Sequence, residues 1–146
     1  MQAIGIDYGE RRIGLSYGDE IGVATPLKPA IEKSEAERIA HIARVAKERN
    51  ATDLVIGYPY NMDGSAGFKA KEVDVFIEKV GAVIDLPTHR IDERLTSVEA
   101  SKGFRSGRDD DLRRSGKLDS AAATLILQDF LNQRLPLPYY ESEEID

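Results

Sequence analysis

Residues 3–7 alternate small and branched side chains, the period-two signature of a strand, and the run ends at Asp7. Ile13, Leu15 and Tyr17 alternate with smaller or polar neighbours and predict a second strand over residues 12–17. Gly18, Asp19 and Glu20 are turn residues, which predicts a reversal into a third strand around residues 21–26 and hence an antiparallel meander. The period then changes. Ser34 with Glu37 three residues on has capping-box spacing, and Ile39, Ile42, Ala43 and Ala46 share one face of the helix that follows. Residues 54–57 form a short apolar strand closed by Pro59. Val73, Phe76, Ile77 and Val80 stand at helical spacing, and residues 88–91 read as a last strand. Thr96 and Glu99 repeat the capping-box pattern and open a short helix. Beyond a Gly- and charge-rich loop, residues 118–131 are apolar nearly all round, the mark of a buried helix.

The order β-β-β-α-β-α-β-α-α predicts one α/β domain over residues 1–135, followed by a Pro-rich and then acidic tail over 136–146. Helices between the later strands imply parallel pairing. The expected architecture is a five-stranded mixed sheet, three antiparallel strands then two parallel, with helices on both faces. In such sheets, sites gather beyond the carboxyl ends of the strands. Asp7 and Glu93 both lie at such ends.

Composition narrows the chemistry. The 146 residues suit one domain, and 41% apolar residues suffice for a core. With no cysteine, thiol nucleophiles, disulfides and Cys-ligated zinc are excluded, and a reducing compartment fits. No signal-peptide pattern and no run of about 18 apolar residues occur, so a cytoplasmic protein with no membrane contact is expected. The net charge of −6 opposes a nucleic-acid partner until it is located. Glu141, Glu143, Glu144 and Asp146 lie in the last six residues, which leaves −2 on the body. Residues 102–117 hold six basic residues against three acidic ones, a basic strip on an acidic chain.

Three acidic residues carry the candidate chemistry. Asp7 follows Ala3 and Gly5 on its strand face, and such small residues let another element pack close to the carboxylate; alone, Asp7 reads equally well as a turn cap. Asp119 opens an apolar helix and alone would read as an N-cap. Glu93, in Asp92-Glu93-Arg94 just past a strand, alone would read as part of a solvated ion cluster. Brought together, the three change meaning. Close carboxylates repel and lose solvation, so they persist where a cation neutralises them. Oxygen donors without cysteine, and with only His41 and His89 in the chain, favour Mg²⁺ or Mn²⁺ over zinc. Two such ions about 4 Å apart activate water and stabilise the leaving oxygen in phosphodiester cleavage.

The stretches GIDYGERRIGLS (5–16), VIGYPYNMDGS (55–65), DERLTS (92–97) and LDSAAATLILQDFL (118–131) together resemble the YqgF, or RuvX-like, family of Holliday junction resolvases, also described as pre-16S rRNA nucleases. The likeness runs from about residue 3 to 132. It implies an RNase H-like fold related to the resolvase RuvC, and a nuclease using Mg²⁺ or Mn²⁺, as a pair of ions. Asp7 falls on the first-strand metal ligand, Glu93 on the second acidic position and Asp119 on the helix-borne third, the same trio being catalytic. One departure stands out: the RuvC-type pattern has an acidic residue at the end of the fourth strand, where this chain has Gly57 and Tyr58. Glu93 must substitute from the next strand, with Asp92 and Asp63 as alternatives. Nucleic-acid contacts are expected at Arg12, Arg94, Lys102, Arg105, Arg113 and Arg114, and Thr96 lies in the DERLTS block. Pro59, Asn61, Asp63 and Gly64 form a turn-rich loop suited to a backbone phosphate.

The resemblance favours processing of the 5′ side of pre-16S rRNA, with Holliday junction resolution as the alternative. Partners would be structured RNA or branched DNA, and pre-ribosomal particles. Junction resolvases act as symmetric pairs, yet no exposed apolar helix face predicts an obligate dimer, so a monomer or weak homodimer is expected. Three other readings compete. Gly14-Leu15-Ser16-Tyr17-Gly18 matches the GxSxG nucleophile elbow, but between two strands rather than a strand and a helix. An actin- or sugar-kinase-like ATPase shares the Asp-x-Gly hairpin but needs two domains. A non-catalytic nucleic-acid- or ribosome-binding module on the same fold is the third.

Overall fold

The alternation of the first strand, β1 (Gln2–Asp7), divides its side chains between two hydrophobic cores on opposite faces of one sheet. The structure is a computed structural model and describes residues 1–60, 66–93 and 120–134. Along the chain follow β2 (Ile13–Asp19), β3 (Thr25–Ala30), α1 (Glu35–Glu48), β4 (Asp53–Tyr58), α2 (Phe68–Gly81), β5 (Thr88–Asp92) and α3 (Ala121–Arg134). The five strands lie in the order β3-β2-β1-β4-β5. β1 pairs antiparallel with β2, and β2 with β3, while β1–β4 and β4–β5 are parallel. The mixed sheet expected from the pattern is the sheet observed. The short helix expected at Thr96 and the tail from residue 136 lie outside the described residues.

Ile4, Ile6, Leu54 and Ile56 point to the face covered by α1 and α2, where Ile39, Ile42, Ala46, Val73, Phe76 and Val80 meet them. The opposite core joins Ala3, Val55 and Ile91 to α3 through Ile126, Leu127, Phe130 and Leu131. The helix α1 starts as its capping box requires, with the Glu37 amide donating to Ser34 Oγ at 3.1 Å and that hydroxyl donating to Glu37 Oε1 at 2.8 Å.

The third strand departs from expectation. β2 continues to Asp19, and β3 occupies residues 25–30 rather than 21–26. The turn is set by Asp19 and Gly22: Asp19 Oδ1 accepts the Ile21 amide at 3.0 Å, the Asp19 carbonyl accepts the Gly22 amide at 2.9 Å, and Gly22 takes φ 92°. Pro26 and Pro29 lie inside β3, where a strand signal is weakest, but β3 is an edge strand and can spare the amides proline lacks.

Helix α3 and the residue before it are pinned to this hairpin at three points. Between the pairs Ile13↔Ala30 and Leu15↔Leu27 the ladder is irregular, β3 carrying one residue more than β2. The hydroxyl of buried Ser120 enters there, accepting the Leu15 amide at 3.0 Å and donating to the Leu27 carbonyl at 2.6 Å. Farther along, Gln128 accepts the Ala24 amide at 2.9 Å through Oε1 and donates to the Gly22 carbonyl at 2.8 Å through Nε2. Ser16 is fully buried, and its hydroxyl donates to the Ala123 carbonyl at 2.7 Å. It lies mid-strand and its proton is committed to the helix, so the GxSxG reading fails on geometry.

Candidate active site

Sheet register brings the strand ends together. Ile6 lies beside Ile56, so Asp7 and Gly57 follow side by side where β1 and β4 end. By alternation both belong to the α3 face, with Gly5 and Val55. The cross-strand partner of Asp7 in β2 is Gly14, which has no side chain to crowd the carboxylate. A cleft of about 350 Å³ opens at this point, between the loop after β1, the end of β4 and the first turns of α2. Asp7 and Glu93 both line it.

The room left by Gly57 is occupied by the side chain of Glu93. A Cβ at residue 57 would sit 2.6 Å from Glu93 Oε1 and 2.6 Å from Ile126 Cδ1. The carboxylate of Glu93 thus occupies the volume that a side chain at the end of β4 would fill. Asp92 is placed differently. It pairs with Tyr58 in the β4–β5 ladder and so shares that residue's face, toward α2. There the Tyr58 hydroxyl donates to Asp74 Oδ2 at 2.8 Å, and the Arg90 guanidinium lies 5.4 Å from the Tyr58 ring centre and 3.3 Å from Asp74 Oδ1. Asp92 is not among the residues lining the cleft.

Charge in the cleft is one-sided. Of the described residues that line it, Asp7, Glu10, Glu72 and Glu93 are acidic and Lys69 is basic. Such a site attracts cations. Tyr8 also lines it, its ring 4.6 Å from that of Phe76 and its hydroxyl donating to Glu35 Oε2 at 3.4 Å. Burial pushes the Tyr8 phenol above its ordinary range, reinforced by the Glu35 and Glu72 carboxylates, so it stays protonated at neutral pH and serves as a donor rather than a base. Among the described residues, no three His, Cys, Asp or Glu side chains form a metal-ligating group. Asp119 lies outside the described residues, as do Asp63, Arg94, Thr96, Lys102, Arg105, Arg113 and Arg114. Arg12 is exposed in the β1–β2 loop and is not among the cleft-lining residues.

Several contributors escaped the sequence reading. Glu10, Lys69 and Glu72 were ordinary surface charges until the loop and α2 were brought to the strand ends. Arg38 is more informative. It is only 6% exposed and donates to the Glu32 carbonyl at 2.7 Å and the Glu10 carbonyl at 2.8 Å, tying the loop after Asp7 to the start of α1. A signal existed: Arg38 stands four residues before Ile42, on the buried stripe of α1, where a cation needs partners.

Comparison with known proteins agrees with this geometry. A family profile described as "RuvX: Holliday junction resolvase" matches residues 1–133. A protein of Opitutus terrae named "Putative pre-16S rRNA nuclease" is 50% identical over 139 residues, covering 94% of this chain and 96% of that one. A protein of the same name from Crocosphaera subtropica is 41% identical over 135 residues, covering 92% and 94%. Among solved structures, RuvC of T. thermophilus in complex with a Holliday junction substrate superposes with a TM-score of 0.53 at 16% identity, over 92% of this chain and 95% of that one. A Fowlpox virus resolvase with Holliday junction DNA gives 0.51 at 14% identity, over 93% and 100%. At those identities the likeness carries the fold alone, which is the RNase H-like arrangement of a mixed sheet between helices. On the strength of the profile match and relatives that span nearly its full length, this chain belongs to the RuvX family.

Proposed function

We propose that the chain is a divalent-metal-dependent nuclease that hydrolyses phosphodiester bonds, with Asp7, Glu93 and Asp119 as metal ligands and catalytic residues. The observation that carries this reading is the meeting of Asp7 and Glu93 in one acidic cleft, with Glu93 filling the space above Gly57. The donor set is oxygen alone, which suits Mg²⁺ or Mn²⁺. Ser120, bonded to Leu15 one step in register from Asp7, supports recruiting its chain neighbour Asp119 as the third ligand. When bound, the ion pair supplies Lewis-acid charge at the scissile phosphate and lowers the pKa of water. Of the chain's own groups, Lys69 offers the cleft a phosphate-binding charge. Arg12, Arg94, Lys102, Arg105, Arg113 and Arg114 would bind the nucleic-acid backbone.

The substrate we assign is pre-16S rRNA, following the names of the two relatives, and we take the cut to lie on its 5′ side and the protein to act in the cytoplasm. Among the described residues, no helix is long and apolar enough to cross a membrane. The nuclease domain takes in residues 1–135, and the acidic tail 136–146 follows it. Purified protein is incubated with precursor 16S rRNA and with a four-way DNA junction, with and without Mg²⁺ or Mn²⁺. Divalent-dependent cutting of the precursor is the expected result. Cutting of the junction alone would transfer the assignment to resolvase activity, and cutting of neither would leave a binding module.

Gly57→Ala separates the site from the fold. Both atoms its methyl would strike most closely, Glu93 Oε1 and Ile126 Cδ1, are ends of side chains and not backbone, so the cost to the fold should stay near the low end of overpacking, about 1 kcal/mol. The Glu93 carboxylate must move, and an error of that size in a catalytic group is expected to slow cleavage about tenfold or more. Equal cleavage by wild type and Gly57→Ala, measured beside their melting curves, would remove Glu93 from the site.

A further inference from the structure

We propose that Phe68 is a stacking platform for an unpaired nucleobase at the rim of the cleft. The inference rests on the nuclease reading and specifies its substrate as one presenting a single-stranded nucleotide near the cut.

Phe68 opens α2 and is 76% exposed, whereas Phe76 and Phe130 are 1% and 2% exposed. Helix α2 is anchored by Ala70, Val73, Phe76 and Val80, and the core formed by the described residues does not include the Phe68 ring. Among the described residues, no aromatic ring pairs with it. Its location is what gives it a role. Glu72, one helical turn on along the same face, lines the cleft, and so does the adjacent Lys69. The ring therefore stands one turn outward from the acidic site, on an element that forms its wall.

The surroundings favour a nucleobase over a protein surface. Val75, the nearest exposed apolar residue of α2, is 50% exposed and separated from Phe68 by Lys71 and Glu72, so the described residues of α2 form no continuous apolar patch for a protein to cover. An exposed ring followed in the same helical turn by Lys69 and Lys71 instead offers a π-face to a base, with two cations nearby for its phosphates. That pairing is how single strands are held without reading their sequence. A base already paired and stacked in a duplex cannot reach such a ring.

The chain has no tryptophan, so Phe68→Trp introduces a single indole at the proposed contact. In the Asp7→Asn background, which binds without cutting, this protein is titrated with a single-stranded oligoribonucleotide, the matching deoxy strand and a blunt duplex of the same sequence. Indole quenching by single strands and none by the duplex is expected; quenching by the ribo strand alone also supports stacking and shows that the ribose is read. Phe68→Ala should weaken single-strand binding about tenfold, with duplex binding unchanged and Phe68→Tyr close to wild type. Equal quenching by duplex and single strand, or unchanged single-strand binding in Phe68→Ala, overturns the proposal. Cleavage is scored separately with Asp7 intact. Unchanged binding in Phe68→Ala with intact cutting would sink stacking alone, whereas stacking in a chain that never cuts would sink the nuclease reading alone.

Discussion

Asp7→Asn is expected to abolish divalent-dependent cleavage, with a loss of at least about a hundredfold, while leaving the protein folded. Asp7 ends the central strand on the face toward α3, in a cleft it shares with the carboxylates of Glu10, Glu72 and Glu93. Replacing one carboxylate by a neutral amide of the same shape removes a metal ligand and relieves repulsion among those that remain. The two effects have opposite signs for stability. Without added metal, the variant should melt at or above the wild-type temperature. With Mg²⁺ or Mn²⁺, wild type should gain stability by mass action and the variant should not. Cleavage assays and thermal melts, each with and without the ion, read both halves. Full cleavage by carefully purified Asp7→Asn, or an equal metal-induced gain in melting temperature, would mean that Asp7 holds no ion.

Gly5→Ala should produce the largest loss of stability from a single methyl group. A Cβ at residue 5 would collide with Ser16 Oγ and lie 2.8 Å from both the Ala123 carbonyl oxygen and Leu127 Cβ. None of these is the free end of a long side chain. Relief requires α3 to lift from the sheet, which breaks the hydrogen bond from Ser16 to Ala123 and opens the core around Leu127. Overpacking combined with a lost buried hydrogen bond should cost about 3 kcal/mol or more. For a chain of this size, that lowers the melting temperature by roughly 6–12 °C. Gly57→Ala is the internal control, since the nearest atoms its methyl meets belong to the side chains of Glu93 and Ile126 and not to backbone. A Gly5→Ala protein within 1 kcal/mol of wild type by denaturant unfolding would show that α3 does not lie this close to β1.

Much of the fold was legible because its signals are local. Alternation in residues 3–7, the Ser34–Glu37 cap and the i, i+3, i+4 spacing from Val73 each depend on a few neighbours. β3 was displaced because its evidence is a side-chain bond from Asp19 and the φ of Gly22, and because prolines in an edge strand mimic a loop. The site was legible in part. Asp7 and Glu93 could be named from their strand ends, but choosing Glu93 over Asp92 requires knowing which face each residue takes. A single residue of register reverses that, and only the pairing of Tyr58 with Asp92 determines it. Gly57 looked like a lost ligand because a sequence shows what a residue lacks, not what another residue places in the vacated space. The buried role of Arg38 depended on two carbonyls 6 and 28 residues away, beyond the reach of periodicity.

The hydroxyl of Ser120 stands in for a rung of the β2–β3 ladder, and the amide of Gln128 clasps the same hairpin at its turn. Strand and helix are therefore not separable layers at this edge. Peeling the outer strands away would leave the Leu15 amide and Leu27 carbonyl without their shared partner, and undocking the helix would strand the same two groups. The backbone protons of Leu15 and Ala24 should become exchangeable only when α3 itself comes loose, so that the floor beside Asp7 opens as one cooperative piece or stays shut.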